Sequence, residues 1–192
     1  MSVKSKGIAW PSSQPLFPLN TRYVAIDVET ANSYKDIIEI ACVEIVNNQI
    51  SRTLTQRIKP MTRNVNSQCM RVHGITLRDV AYCPNFSEFS PTLIDFVEDS
   101  PILAHNRPAE YKSILFEFEQ MREQFPFYIG DFYCTMKMAR SMGFTGTLRE
   151  MSKQAGIRTS HLAHHHDALS DTILAAELFI RMGRIRANRS IL

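Results

Sequence analysis

The stretch Tyr23-Val-Ala-Ile-Asp27-Val-Glu29 decides the fold, because its β-branched residues predict a central strand of a sheet. Asp27 and Glu29 are two positions apart, so their side chains lie on the same face of that strand. Two carboxylates on one face of a buried strand repel each other and lose hydration. A divalent cation between them offsets both costs, and the hard ions Mg²⁺ and Mn²⁺ prefer oxygen ligands. The alternative is a strand end that faces solvent.

Two more strands are predicted directly after the first. Residues 37–46 and 50–58 have strand-like patterns, and Asn47-Asn48 between them is a turn signal because asparagine tolerates left-handed backbone. The first three strands therefore predict a meander. Two short strands are expected later, at 101–105 and 131–135.

Helices are predicted at 91–97, 109–125, 135–142, 147–154 and 167–184. The last is long and amphipathic, with Leu169, Ile173, Ala176 and Ile180 at helical spacing. Strands that come first, followed by interleaved helices, indicate an α/β fold in which helices flank a mixed sheet.

The length of 192 residues predicts one domain with short extensions. Residues 1–20 contain several prolines, which disfavour both helix and sheet, so we expect an extended arm there. The domain itself is predicted at 21–185 and a C-terminal tail at 186–192.

Composition indicates an ordinary cytoplasmic globular protein, with 44% hydrophobic residues and a net charge of +3. No run of about eighteen apolar residues predicts a membrane span, and the first residues lack the apolar core of a signal peptide. The four cysteines are scattered, which is typical of small core residues in a reduced compartment. The weak basic balance permits a nucleic-acid partner without requiring one.

A second chemical signal is the segment His166-Asp-Ala-Leu-Ser-Asp171. Asp171 lies on the predicted last helix and His166 just before it. A histidine beside a metal-bound carboxylate can take a proton from water. The alternative is a charged helix start, in which Asp167 favours the helix dipole and the histidine is simply exposed.

A third signal is the segment Ala104-His105-Asn106-Arg-Pro-Ala-Glu110, where a strand runs into a helix. Glu110 in the first turn of that helix could face the strand that carries Asp27. The alternative is again stabilisation of the helix dipole by an acidic residue.

Taken together and in this order, the three segments resemble the DnaQ-like (DEDDh) exonuclease family, whose motifs are D-x-E-T, H-N-x-x-F-D and H-x-A-x-x-D. Here they stand as residues 27–30, 105–110 and 166–171. Further stretches are similar to family segments: Ile37-Ile-Glu-Ile-Ala, Val72-His73-Gly74-Ile75-Thr76 and Cys134-Thr-Met-Lys-Met-Ala-Arg140. The resemblance covers residues 22–184.

This resemblance implies a ribonuclease H-like fold and 3′→5′ exonuclease activity on single-stranded ends, with release of nucleoside 5′-monophosphates. It implies that two Mg²⁺ or Mn²⁺ ions clamp the attacking and leaving oxygens. The ligands would be Asp27, Glu29, Glu110 and Asp171, and the general base His166. The residues that would line the pocket for the terminal nucleotide are Thr30, His73, His105 and Asn106. The implied partners are a nucleic-acid 3′ end, DNA or RNA, and a polymerase or repair complex, with no membrane; the oligomeric state is left open.

The chain departs from the family pattern at the middle motif, where Glu110 replaces Asp and Ala109 replaces Phe. The extra methylene moves the carboxylate outward by roughly 1.5 Å, and Mg²⁺ demands near-ideal octahedral geometry. We expect the space left by Ala109 to accommodate the longer acid and activity to be retained. The alternative is a catalytically weakened, nucleic-acid-binding module of the same fold.

A third reading is a zinc-binding regulatory domain, suggested by His161, His164, His165 and His166. Adjacent residues in a loop rarely converge on one tetrahedral ion. We therefore favour a polar loop that carries the general base.

Overall fold

A computed structural model describes residues 21–33, 35–159 and 167–189 of the chain. The proposed N-terminal arm, the histidines at 161 and 164–166 and the last three residues lie outside the described residues.

The sheet has five strands in the order β3-β2-β1-β4-β5. The strands are β1 (Arg22–Asn32), β2 (Lys35–Val46), β3 (Gln49–Arg57), β4 (Ile102–Ala104) and β5 (Phe132–Cys134). The first three form an antiparallel meander, and β4 and β5 join it in parallel. The predicted mixed sheet and its meander are confirmed.

The central position of β1 follows from its sequence. Its residues alternate between two hydrophobic cores: Val24 and Ile26 pack in one, and Tyr23 and Ala25 in the other. A strand covered on both faces needs apolar residues at successive positions, which is the pattern that Tyr23 begins.

Six helices are described: α1 (Ser67–His73), α2 (Phe86–Val97), α3 (Arg107–Met121), α4 (Thr135–Ser141), α5 (Leu148–Gln154) and α6 (Ala168–Arg189). Residues of α2 and α3 contribute to the core that contains Val24, and residues of α4, α5 and α6 to the core that contains Ala25. Helices α3 and α6, which carry predicted site residues, therefore pack on opposite faces of the sheet.

Several helix boundaries differ from the sequence-based expectation. Helix α2 begins at Phe86 rather than at residue 91, because Asn85 and Glu88 form a reciprocal capping box. Helix α3 ends at Met121 rather than at residue 125, because Arg122 adopts a left-handed conformation with φ 59°. Helix α6 continues past residue 184 to Arg189.

Helix α1 was not predicted, because a helix of two turns is too short for hydrophobic periodicity to reveal it. Its local signal is Asn66, whose side chain accepts a hydrogen bond from the backbone N–H of Gln68 at 2.8 Å. It ends at Gly74, whose φ of 74° favours glycine. Among the helices of the described ranges, none combines the length and the apolar character that crossing a membrane requires.

Candidate active site

The predicted acidic residues come from three separate elements. Asp27 and Glu29 lie on β1, Glu110 in the first turn of α3, and Asp171 in the first turn of α6. Strand β4 runs parallel to β1, and only two residues separate the end of β4 from the start of α3. This short connection brings Glu110 toward the carboxyl end of β1. Because helix α3 directly follows strand β4, Glu110 is close to Asp27 although the two residues are far apart in the sequence.

The charges of these acids act on one another. The pKa of Asp27 is raised well above its usual range, first by burial and then by the negative charges of Glu110, Glu29 and Asp171. The pKa of Glu29 is raised to about 8 by burial and then by Asp171, Glu39 and Asp167. Burial also raises the pKa of Glu110 to about 8, against two backbone hydrogen bonds that lower it.

The chemistry of this donor set fits a hard divalent cation. All four predicted ligands offer carboxylate oxygens, which Mg²⁺ and Mn²⁺ prefer. Glu110 is 5% exposed, and its Oε2 is buried without a hydrogen-bond partner in the described parts of the chain. A buried acceptor without a donor is costly, and a bound cation would satisfy it.

The cluster is not arranged as a finished metal site. Within residues 21–33, 35–159 and 167–189, no three histidine, cysteine, aspartate or glutamate side chains stand in ligating geometry around one point. Like charges held by separate elements have no reason to converge on their own. The acids of the described ranges are therefore electrostatic neighbours and not a preformed ligand set.

Beside the acids lies a cleft of about 470 Å³. Five of the predicted site residues line it: Glu29, Thr30, His73, Asn106 and Glu110. Sequence reasoning missed the lining residues that α1 contributes, Gln68, Cys69 and Val72, because it did not detect that helix. Ala109 also lines the cleft, beside Glu110, and its small side chain leaves room there.

His73 is held by backbone groups on both ring nitrogens. Its Nδ1 accepts a hydrogen bond from the N–H of Ile75 at 3.0 Å, and its Nε2 lies 3.3 Å from the carbonyl oxygen of Thr30. The Nδ1 contact needs a lone pair, so the neutral ring carries its proton on Nε2 and donates it to Thr30. Burial lowers the pKa of His73, which favours this neutral form. His73 thus ties the end of α1 to β1 at the edge of the cleft.

His105 contacts the first residue of α4. Its Nδ1 lies 3.1 Å from the Oγ1 of Thr135, which directly follows β5, the strand next to β4. Burial, and then the positive charge of Arg140, lower its pKa to about 4. His105 is not among the residues that line the cleft beside the acids, and its role in a nucleotide pocket stays a prediction.

The remaining expectations concern residues outside the described ranges. His166, the predicted general base, and the other histidines of the zinc hypothesis belong to residues 160–166. Asp167 is described, and its carboxylate accepts a hydrogen bond from the backbone N–H of Ser170 at 3.2 Å. The charged helix start that we considered for this segment is thus present, and it coexists with the cluster around Asp171.

Glu39 was not predicted as a site residue, although it lies in the stretch Ile37-Ile-Glu-Ile-Ala that resembles a family segment. Glu39 stands directly opposite Glu29 in the register of β1 and β2, and it is 7% exposed. The available signal was a glutamate surrounded by apolar strand residues, a position that charged side chains rarely occupy without a partner.

The fold and the acid cluster define a nuclease domain, and the comparisons with known proteins give its family. The family model described as "Exonuclease" matches residues 24–179, and the chain belongs to this family. The DnaQ-like (DEDDh) resemblance and the ribonuclease H-like fold are thereby confirmed.

Among individual proteins, the chain is similar to the DNA polymerase III subunit epsilon of Pasteurella multocida, with 30% identity over 187 residues, covering 90% of this chain and 70% of that protein. It is also 27% identical over 159 residues to exodeoxyribonuclease 10 of Escherichia coli, covering 81% of this chain and 66% of the relative. A solved structure of exonuclease X in complex with 5′ overhanging duplex DNA superimposes with a TM-score of 0.70 at 26% identity, covering 86% of this chain and 93% of the other.

Proposed function

We propose that this chain is a metal-dependent 3′→5′ exonuclease, which hydrolyses the terminal phosphodiester bond of a single-stranded end and releases a nucleoside 5′-monophosphate. The observation that carries the proposal is that the charges of Glu110, Glu29 and Asp171, which come from three elements, all act on Asp27, and that Glu29 and Glu110 line the adjoining cleft. The pKa values of Asp27, Glu29 and Glu110 are all raised, and carboxylates held this close are costly unless they serve a purpose such as cation binding.

Each group in the site has a distinct part in this proposal. Asp27, Glu29, Glu110 and Asp171 would hold two Mg²⁺ or Mn²⁺ ions, which when bound supply an activated water and stabilise the leaving 3′ oxygen. His166, from its place in the sequence motif, would accept the proton of the attacking water. These roles come from the donor chemistry and the motif order together.

The cleft suits a terminal nucleotide. Thr30 and Asn106 offer polar groups, and Val28, Val72 and Ala109 offer an apolar surface within the same 470 Å³. A pocket that combines apolar surface with a few polar groups is typical of small-molecule and nucleotide sites. His73 lines this cleft as well, but its ring nitrogens already contact backbone, so we assign it the positioning of α1.

The names of the relatives favour DNA as the substrate. One is called a DNA polymerase III subunit and another an exodeoxyribonuclease. The first name also supports a partner of the polymerase or repair type.

The alternative is a binding module of the same fold whose chemistry is weakened at Glu110. Two observations favour it: Glu110 is longer than the family's Asp, and no three acids of the described ranges stand in ligating geometry. Such a module would bind a nucleic-acid end and bind cations weakly, without cleavage.

The deciding experiment uses single-stranded DNA and RNA oligonucleotides labelled at the 5′ end, in Mg²⁺, in Mn²⁺ and in chelator. We expect a ladder that shortens from the 3′ end, metal-dependent release of 5′-monophosphates, and faster cleavage of DNA. A 3′-terminal phosphorothioate linkage should slow it. Binding of either oligonucleotide without any cleavage, in both metals, would establish the alternative, and faster cleavage of RNA would reverse the substrate assignment.

A further inference from the structure

Glu39 is a buried acid that faces another buried acid. It is the direct cross-strand partner of Glu29, and its charge contributes to the raised pKa values of both Glu29 and Asp27. Like charges directly opposite each other in a sheet are destabilising. Other contacts must offset this repulsion, and the described structure shows two of them, to Arg57 and to Ala168.

The first contact is with β3. The Oε1 of Glu39 accepts a hydrogen bond from the Nε of Arg57 at 3.2 Å, and the two residues are also register partners on β2 and β3. Arg57 is half exposed, so this ion pair by itself adds little to stability. Its effect is to orient the Glu39 carboxylate and to offset part of its charge.

The second contact is with α6. The Oε2 of Glu39 accepts a hydrogen bond from the backbone N–H of Ala168, the first residue of that helix, at 3.2 Å. The first backbone N–H groups of a helix lack partners within the helix, and a carboxylate there is also favoured by the helix dipole. The carboxylate of Asp167 accepts from Ser170 in the same turn, so two acids satisfy different N–H groups of one helix start.

This turn is the one that carries Asp171. The N–H of Asp171 donates to the carbonyl oxygen of Asp167 at 3.0 Å, and the next residue, Thr172, is fully buried. The hydroxyl of Thr172 donates to the carbonyl oxygen of Ala168 within the helix and lies 3.5 Å from the carbonyl oxygen of Ala41 on β2. The start of α6 is therefore hydrogen-bonded to β2 through Glu39, and Thr172 packs beside Ala41. Glu39 and Ala41 are the register partners of Glu29 and Asp27.

We infer that Glu39 is a positioning residue that fixes the first turn of α6, and with it Asp171, against the strand that carries Asp27 and Glu29. This inference rests on the proposed function, because it takes Asp171 as a ligand. Each of the two carboxylate oxygens of Glu39 accepts a hydrogen bond, one from Arg57 and one from Ala168, so the carboxylate is oriented between β3 and α6. A shift of about 1 Å in a reacting group can reduce a rate on the order of a hundredfold.

The test compares Glu39→Ala and Glu39→Gln with Glu44→Ala. Glu44 is a matched control, since it lies on the same strand, is 6% exposed, and pairs with Arg22 and Arg52 away from the acid cluster. Three quantities are measured on the full chain: amide hydrogen exchange of the first turn of α6, Mn²⁺ binding by calorimetry, and kcat with KM for a single-stranded oligonucleotide.

We expect Glu39→Ala to lose exchange protection at residues 168–172 and to weaken Mn²⁺ binding by about 10- to 100-fold, as is usual when a group that orients a metal ligand is removed. Its kcat should fall on the order of a hundredfold with KM nearly unchanged. Glu39→Gln should lose less on every measure, because its amide oxygen can still accept from Ala168. Glu44→Ala should change thermal stability alone.

Several outcomes would overturn the inference. Equal effects of Glu39→Ala and Glu44→Ala on exchange, Mn²⁺ binding and kcat would leave Glu39 a merely structural residue. Loss of Mn²⁺ binding in Glu39→Gln as complete as in Asp27→Asn would make Glu39 a ligand. If the wild type binds Mn²⁺ but does not cleave, the proposed function fails, while exchange and Mn²⁺ binding still decide the role of Glu39. If Glu39→Ala does not fold, Glu39→Gln decides by the same measures, and wild-type values in it would contradict the inference.

Discussion

The charge of Glu110 raises the pKa of Asp27 more than any other neighbouring charge in the described structure. The two carboxylates come from α3 and β1, and the sequence gives them no local connection. Glu110, like Glu29, both acts on Asp27 and lines the cleft. The chain therefore departs from its family at Glu110, the residue whose charge most raises the pKa of Asp27.

Glu110→Asp tests whether the site has adapted to the longer acid. We expect monophosphate release to fall or stay flat in Mg²⁺, because the shorter arm leaves the carboxylate roughly 1.5 Å away from a site shaped around Glu110. Glu110→Gln should lose activity in both metals. A large gain in Glu110→Asp would identify the natural residue as a lesion, and wild-type activity in Glu110→Gln would remove this carboxylate from the metal site.

Asp27→Ala should reduce cleavage to background while the protein remains folded. Removing this acid relieves the repulsion that raises its pKa, so the melting temperature without metal should stay equal or rise at pH 8. Divalent cations should raise the melting temperature of the wild type and have much less effect on the variant. The check is a thermal melt with and without Mn²⁺ beside the nuclease assay; wild-type cleavage in folded Asp27→Ala would contradict the metal assignment.

His166→Ala should lower kcat by about 10²- to 10⁴-fold, the usual contribution of a general base. Mn²⁺ binding should change little, because the proposed ligands are carboxylates. The acidic limb of the pH–rate profile should vanish or shift in the variant. His164→Ala and His165→Ala serve as controls that retain the profile, and a variant profile identical to the wild type would assign the base to another residue or to none.

Glu117, which lies outside the acid cluster, should make the stability of the protein depend on pH. Its pKa is raised to about 7, first by burial and also by the charge of Asp36, although it accepts a hydrogen bond from the N–H of Ile37 at 2.6 Å. Because the folded pKa lies above the unfolded value, the folded state binds more protons between about pH 4.5 and 7. The free energy of unfolding should therefore fall as pH rises through that window.

Glu117→Gln should remove this dependence, because the amide is neutral at every pH and its oxygen can accept from Ile37. We expect the variant to be more stable than the wild type at pH 8, by up to about 3 kcal/mol, with the difference shrinking toward pH 5. Urea denaturation at both pH values measures it. Glu119→Gln on the same helix is the control, and a constant difference between Glu117→Gln and wild type across pH would refute the assignment.

Much of the architecture was predictable because it depends on local pattern. The run of apolar residues that begins at Tyr23 predicts a central strand, and the amphipathic spacing of Leu169 and Ile173 predicts the last helix. The order of the short motifs indicated the family, which the family model confirms over residues 24–179. Helix α1 and the start of α2 were missed, because the first is too short for periodicity and the second begins at a capping box.

The candidate site was only partly predictable. The sequence supplied Asp27, Glu29, Glu110 and Asp171 as candidates, and the structure places them in one electrostatic cluster. The sequence did not reveal that His105 contacts Thr135, that both ring nitrogens of His73 contact backbone groups, or that Glu39 contacts Ala168. These contacts join residues from separate elements, or residues within a turn. The local sequence pattern does not determine which residues meet in either case.

The sequence by itself determined the strands and most of the helices and which acids are candidates for binding a cation, since periodicity and donor chemistry are properties of the residues themselves. Only the tertiary structure decided which oxygen atoms remain without a partner, as at Glu110, and which are already engaged, as at Glu39. The physical reason is that burial, charge proximity and hydrogen bonding depend on groups brought together across the fold, and these determine whether a carboxylate can bind a cation or fixes a helix.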